Sequence, residues 1–344
     1  FRYEVRKQSG KQIKVGGAPA TPEGLYKLLK RYKDEKIKIQ VAYEAGMQMY
    51  WIHDVIKSLG MDSYPFHAAD FYLSVKSKNK TDKKDAEKIA KAACKENLPP
   101  RIVVANNEER ELREMIKERR YYQKEIVRLG NRLHSLGIAL GFELKCGCLS
   151  EKLSNWDDAL KKFAGTQYEK QAARLYKTAL VNFQNMEEIE EKLKEIGNRE
   201  KWKHARNRLE SIPGFGFWTS MSLLAWCGPE ATRFKNSRQA ASYFGLTGRI
   251  YESGSISRHG GITKNGPPMV RALLIQVAWA FIRSKQGRQS RWGQWFLNRT
   301  AKNSHQKKKS IVGLARKLLT AGVACLQKET EWNVDVLNGV AQAG

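Results

Sequence analysis

The chain has 344 residues, with 62 Lys or Arg against 35 Asp or Glu, a net charge of +27 and an apolar share of 41%. That length allows two domains, the apolar share allows packed cores and excludes general disorder, and the charge selects polyanionic partners without specifying a fold. There is no uninterrupted apolar run of about 18 residues and no signal-peptide core, so a membrane role is not expected.

The chain opens at Phe1, without methionine, inside an expected strand. Phe1-Arg2-Tyr3-Glu4-Val5 alternates apolar and charged residues, Ser9-Gly10 reads as a hairpin turn, and Ile13 with Val15 forms the return strand. Thr21-Pro22-Glu23 sets a capping hydroxyl before a proline at the first helical position, and the helix it opens carries Leu25, Leu28 and Leu29 on one face. Ile37, Ile39, Val41 and Tyr43 alternate with Lys38, Gln40 and Ala42, a half-buried strand that ends on Glu44. One helix is expected from about Met47 to Ser58. Another runs from Lys80-Thr81-Asp82 to about Cys94, capped by Thr81 or Asp82. Arg101-Ile102-Val103-Val104 reads as a short strand. Strands alternating with helices predict an α/β domain over residues 1–105.

From Asn106 the pattern changes. Leu112, Met115, Tyr122, Ile126, Leu129, Leu133, Leu136 and Leu140 fall mostly at spacings of three and four, so Arg119 to Leu140 predicts one long helix. Gly141 to about Phe163 breaks the seam, and a second charged helix follows from about Gln167 to Ile196. Together they predict an antiparallel coiled-coil arm over residues 106–200, shared in part between protomers. A helical hairpin closed on its own chain is the plainer alternative. Residues 201–330 read as a basic, mainly helical domain. Gly266-Pro267-Pro268 opens a helix from Met269 to Ser284, and Lys307-Lys308-Lys309 precedes a last amphipathic helix, Ile311 to Leu326. Residues 331–344 read as a weakly ordered tail.

The cysteines are Cys94, Cys146, Cys148, Cys227 and Cys325, an odd number at irregular spacings. Cys146-Gly147-Cys148 has no second pair, so free thiols in a reducing cytoplasm are expected, not a zinc ribbon.

The residues that could carry chemistry fall into three groups. Between Ala231 and Thr320 lie eighteen Lys or Arg and one acid, Glu252, in the run Tyr251-Glu252-Ser253-Gly254-Ser255. A polyanion partner follows, because each phosphate neutralised by a cation releases counterions. A serine between small residues can approach phosphorus closely, Arg258 can neutralise developing charge, and Glu252 or His259 can move the proton. The plainer reading is a Ser-Gly turn joining two elements. Glu44, Asp82 and Asp85 form the second group. Carboxylates converging from separate elements suit Mg²⁺ (or Mn²⁺), although Lys80 to Asp85 also reads as a solvated, capped helix start. The third is Ile212-Pro213-Gly214-Phe215-Gly216 with Thr219, a turn like a helix-hairpin-helix that could offer N–H groups to a phosphate, or simply join two helices. Trp292, Trp295 and Phe296 lie among Arg288, Arg291 and Arg299, and could stack on unpaired bases or fill a core.

In their order and spacing these motifs resemble one family, the insertion-sequence-110 transposases, DEDD-type recombinases related to the pilin-gene invertase. The marks are Tyr43-Glu44-Ala45-Gly46, Lys80-Thr81-Asp82-Lys83-Lys84-Asp85-Ala86, Ile212-Pro213-Gly214-Phe215-Gly216, and Phe244-Gly245-Leu246-Thr247-Gly248 before Tyr251-Glu252-Ser253-Gly254-Ser255. The resemblance implies an N-terminal RNase H-like, resolvase-like domain holding Mg²⁺ on four acids. Glu44, Asp82 and Asp85 match the second to fourth, and the first is expected a few residues before Phe1. It implies that Ser253 is the nucleophile, that a neighbouring protomer's acids complete the centre, and that dimers assemble into tetramers. It also implies an element-encoded bridge RNA that pairs with donor and target DNA. The expected nucleic-acid contacts are Gly214, Gly216, Arg249, Arg258, Lys264, Arg271, Lys307, Lys308 and Lys309.

The expected function is therefore an RNA-guided serine recombinase acting on double-stranded DNA, cytoplasmic and nucleoid-associated. The alternatives are a metal-dependent junction-resolving hydrolase without a covalent intermediate, and a non-enzymatic nucleic-acid binder.

Overall fold

The structure, a computed structural model, describes residues 1–33, 38–74, 81–144, 153–253 and 256–333. They divide into two compact units, Phe1–Ala105 and Asn106–Gly344, and helices dominate.

In the first unit, strand β1 (Arg2–Arg6) pairs antiparallel with β2 (Gln12–Gly17), as the alternation predicts. Helix α1 (Pro22–Lys33) follows, with Leu25 and Leu29 buried. Strand β3 (Gln40–Glu44), helix α2 (Met49–Ser58) and strand β4 (Asp62–Phe66) then form a parallel β-α-β unit, with Gln40 opposite Asp62 and Glu44 opposite Phe66. A parallel pair needs a crossover, and α2 supplies it, burying Ile56. Leu25, Leu29, Ile56, Leu59 and Met61 make one small core, with Val41 and Tyr43 packed against it. Ile37, the first residue of the expected strand, lies outside the described residues. After α3 (Ala68–Ser74), helix α4 (Asp82–Cys94) begins at Thr81, whose hydroxyl accepts the Lys84 N–H at 3.4 Å. Helix α4 packs against β1 and reaches β3.

Two expectations change here. Residues 101–104 do not form a strand. Pro99 and Pro100 lack donors, and the run makes one ladder-like bond, from the Ile102 N–H to the Pro65 carbonyl at 2.8 Å. The described strands of this unit also form two separate pairs instead of one sheet.

The second unit begins with α5 (Asn107–Ala139), opened by a capping box in which Asn106 and Glu109 satisfy each other's backbone N–H. Helices α6 (Ser154–Lys161) and α7 (Glu169–Asn198) follow. Helices α5 and α7 run antiparallel, as the pairs Arg119–Glu190 at 2.6 Å and Glu108–Arg199 at 3.5 Å show. Ile126, Leu133, Trp156, Phe163 and Phe183 fill the seam between them. Within the chain the two helices pack on each other as an antiparallel hairpin. Cys146 and Cys148 lie outside the described residues, and Cys94, Cys227 and Cys325 are free.

The rest of the unit builds one core from α8 (Glu200–Glu210), α9 (Phe217–Cys227), α10 (Ser237–Tyr243), α11 (Pro268–Arg283), α12 (Lys285–Gln289), α13 (Arg291–Lys302) and α14 (Lys307–Lys328). Helix α14 is long and apolar enough to cross a membrane by length and composition, yet it is the central core helix here. Leu314, Leu318, Leu319 and Val323 are fully buried. Burying each such side chain contributes about 1.5–3 kcal/mol. The tail expectation also needs correction at its start. The Trp332 N–H donates to the Ser211 hydroxyl at 2.8 Å and its ring packs on Phe281, while residues 334–344 lie outside the described residues.

Cys227 closes α9, fully buried. Burial raises its thiol from the ordinary 9.0 to about 12, outweighing the lowering effects of Arg233 and Arg113. A folded pKa above the unfolded value means that the stability from this thiol is fully present below about pH 9. It is lost as pH rises toward 12. Replacing Cys227 with alanine should flatten the alkaline fall in stability over that window, which urea melts at stepped pH will show.

Candidate functional site

Ser253 ends strand β5 (Gly248–Ser253), which pairs antiparallel with β6 (Ile256–Ile262). The register sets Ser253 opposite Ile256, Glu252 opposite Ser257 and Tyr251 opposite Arg258. The sequence pattern did not show this hairpin, because few apolar residues alternate in it. The serine sits at its tip, next to Gly254 and Ser255, which lie outside the described residues. Arg249 and Arg258 are exposed along the strands, and the Arg249 guanidinium donates to the Thr263 carbonyl at 3.1 Å.

The base of the hairpin is locked to the helices. Gly245 and Gly266 both have positive φ, +66° and +67°. A Cβ on Gly245 would lie 2.3 Å from the Asn265 nitrogen, and one on Gly266 would lie 2.0 Å from the Tyr243 carbonyl. The Arg271 side chain donates to the carbonyls of Asn265 at 2.6 Å and Phe244 at 3.1 Å, closing the same corner. The run Phe244-Gly245-Leu246-Thr247-Gly248 thus aims the hairpin. Gly245→Ala should destabilise the unit by about 1–3 kcal/mol or more through strain and contact together, read from the midpoint of a denaturant melt.

The other expected contacts divide by environment. Lys264, Lys308 and Lys309 are exposed, and Lys307 lies 5.5 Å from the Trp279 ring centroid. Arg271 is half-buried and committed to the corner just described. Gly214 (φ +94°) packs against α11, where a Cβ would meet the Val277 carbonyl at 2.7 Å. Packing alone therefore requires that glycine. Gly216 is the exposed N-cap of α9 and has no side-chain cap, leaving first-turn N–H groups open to an anion.

In the first unit, Glu44 ends β3 at the carboxyl edge of the parallel pair, where α/β folds place functional groups. Asp82 and Asp85 share the first turn of α4, and Asp85 pairs with Lys88 at 3.3 Å. Oxygen donors of this kind suit a hard divalent cation. Among the described residues, however, no group of three or more His, Cys, Asp or Glu is gathered to hold a metal. The carboxylates as placed do not make a metal site by themselves.

Residues 206–292 match the family model described as Transposase IS116/IS110/IS902 family, and residues 1–136 match a second model, DEDD_Tnp_IS110, described as a transposase. The transposase of insertion sequence element IS1111A from Coxiella burnetii is 30% identical over 253 residues, 70% of this chain and 64% of its own. The chain belongs to the IS110/IS116 family of transposases. Other relatives of this transposase agree. A protein named as transposase y4rJ from Sinorhizobium fredii is 28% identical over 315 residues, 82% of this chain and 75% of its own. The pilin gene-inverting protein of Moraxella bovis is 26% identical over 265 residues, 77% and 71% respectively. Membership implies DNA cleavage and rejoining, and the DEDD class implies use of a divalent metal.

Both family models fall on the residues singled out above. The first spans Gly214, Gly216 and Ser253, and the second spans Glu44, Asp82 and Asp85. Lys317 and Arg316, on α14, were not among the expected contacts. They read as the polar stripe of an amphipathic helix, and the available signal was that no acid stands anywhere between Glu252 and Glu329.

Proposed function

We propose that this transposase cuts and rejoins DNA through a phosphoester on Ser253, with the carboxylates Glu44, Asp82 and Asp85 needed for strand transfer. An element-encoded RNA selects the sites. The observation that carries the reading is Ser253 at the tip of a hairpin whose strands carry the exposed Arg249 and Arg258, in a segment with one acid.

The chemistry balances without an energy source. The Ser253 hydroxyl attacks phosphorus as its proton passes to Glu252 or His259, one P–O bond of the DNA breaks, and the departing strand leaves as a free hydroxyl. Attack of a new strand's hydroxyl on the serine ester restores a phosphodiester and frees the serine. The number of phosphoester bonds is conserved. Arg258, across the hairpin from Tyr251, would neutralise charge on the phosphate, and its exposure on the same strand pair supports that role. No step is routed through a metal, because the three acids in this chain are not gathered. Their completion by a second protomer, in a dimer that pairs into a tetramer, is part of the proposal. Guide RNA fits the charge pattern, in which exposed Lys and Arg grip backbone while base pairing reads sequence.

The test is chemical. The chain is incubated with end-labelled donor and target duplexes, Mg²⁺ and RNA transcribed from the element's flank. The mixture is denatured, digested with protease and sequenced by mass spectrometry. A nucleotide on the peptide containing Ser253 is expected. Nicks with free ends and no attached peptide would establish the junction-resolving hydrolase instead.

A further inference from the structure

One face of the second unit carries charge that the protein does not neutralise. On α13 and α14 the Lys317 Nζ lies 5.7 Å from the Trp292 ring centroid and 5.6 Å from that of Trp295. The Arg299 guanidinium lies 5.9 Å from the same Trp295 ring. Lys317 is half-buried, and its pKa is lowered first by burial and then by Arg291 and Arg316. Among the described residues no carboxylate acts on it, and helices α11 to α14 contain no acid. Three other inward-facing cations of the unit have partners. Arg233 meets Glu109, Arg119 meets Glu190, and Arg113 donates to the Ala225 carbonyl.

Lys317 rests against two indole rings on a face whose helices supply cations and no carboxylate, an arrangement that suits an external anion. The ammonium rests on aromatic faces, which hold it in place at small cost. Phe296, the residue after Trp295, is buried and belongs to the core, whereas Trp292 and Trp295 remain half-exposed. Lysine is a flexible point charge. Turning Nζ toward a phosphate would uncover the indoles for a base.

We propose that this face binds single-stranded nucleic acid, with backbone phosphate on Lys317, Arg291 and Arg316 and unpaired bases on Trp292 and Trp295. A duplex hides its base faces and would leave the indoles unused. The proposal rests on the chain binding nucleic acid, and does not depend on the chemistry assigned to Ser253.

The test uses the full chain with Ser253→Ala as background, so that no cleavage intrudes. Binding of labelled ten-nucleotide DNA, RNA of the same sequence and the matching duplex is followed by fluorescence anisotropy across a salt series (lengths of about ten, matched to the usual site size). Lys317→Met is expected to leave the melting temperature unchanged or raised. It should weaken single-strand binding at least about fivefold and reduce the salt slope by about 0.7, the value for one phosphate on a single strand. Trp295→Phe, which keeps a ring in place, should give an intermediate loss. Lys170→Met, on an exposed turn of α7, should change neither quantity. The stronger of the RNA and DNA arms identifies the strand.

Three results would overturn the proposal. They are Lys317→Met matching Lys170→Met in affinity and slope, equal losses on duplex and single strands, or a lowered melting temperature with unchanged affinity. None of these bears on the strand-joining assay, which decides the recombinase reading separately.

Discussion

Ser253→Ala is expected to abolish covalent protein–DNA adducts and to lower strand joining roughly ten-thousand-fold, while equilibrium DNA binding changes less than about twofold. The asymmetry follows from where the residue sits. Ser253 ends β5 at the hairpin tip, and the ladder that fixes β5 to β6 is made of backbone groups that alanine keeps. Affinity for DNA comes from dispersed cations, and one neutral hydroxyl adds almost nothing to that sum. A nucleophile, by contrast, cannot be replaced by the groups around it. The measurement pairs a denaturing gel, which reports the adduct, with a filter-binding titration, which reports affinity. Adducts that persist in the alanine variant would sink the serine mechanism. The companion variant Asp82→Ala separates the remaining readings. If the carboxylates serve strand transfer, recombination is lost. If the protein only binds nucleic acid, Asp82→Ala moves affinity marginally and nothing else.

The sequence disclosed local structure better than it disclosed assembly. Helix α4 was legible to within a residue because a cap at Thr81 or Asp82 was read from signals that act over one turn, and Thr81 proves to be the cap. Helices α5 and α7 were legible because an apolar seam sustained over many turns has no other solution. The hairpin β5/β6 was not. Its strands carry Arg249, Glu252, Arg258 and few apolar residues, so no alternation marks them, and the fold imposes the register through Gly245, Gly266 and Arg271. The same limit applied to charge. Periodicity marked α14 as an amphipathic helix, but only packing showed Lys317 set against the indoles of Trp292 and Trp295. Among the site residues, the glycine of the Gly214 turn had a double reading from the outset. The backbone of α11 accounts for it, while Gly216 keeps the exposed N–H groups. Glu44, Asp82 and Asp85 were read as a converging set from their positions at element ends. Convergence is a property of tertiary placement, which the pattern of one chain does not contain.

Arg233→Met is expected to cost the second unit about 3–5 kcal/mol, because it strands a buried carboxylate. The Arg233 Nη2 lies 2.5 Å from each Glu109 oxygen, with side-chain exposures of 9% and 8%. Arg233 also donates to the Cys227 carbonyl at 3.0 Å, and Arg113 donates to the Ala225 carbonyl at 2.7 Å. The two guanidiniums therefore cap the C-terminus of α9, where a helix favours positive charge. Glu109 at the same time closes the capping box that starts α5. One buried cluster thus joins the start of the long hairpin to the end of the core helix, linking the arm to the hairpin domain. Glu109→Gln alone leaves an unmatched guanidinium and should cost a similar amount. The double variant removes both charges, and should be more stable than the sum of the singles predicts by at least about 2 kcal/mol. Thermal melts of the four proteins complete the cycle. For a unit of this size the Arg233→Met change should lower the melting temperature by roughly 10 °C. Additive losses in the cycle, or a shift of only a degree or two, would show that the pair does not hold the two helices together.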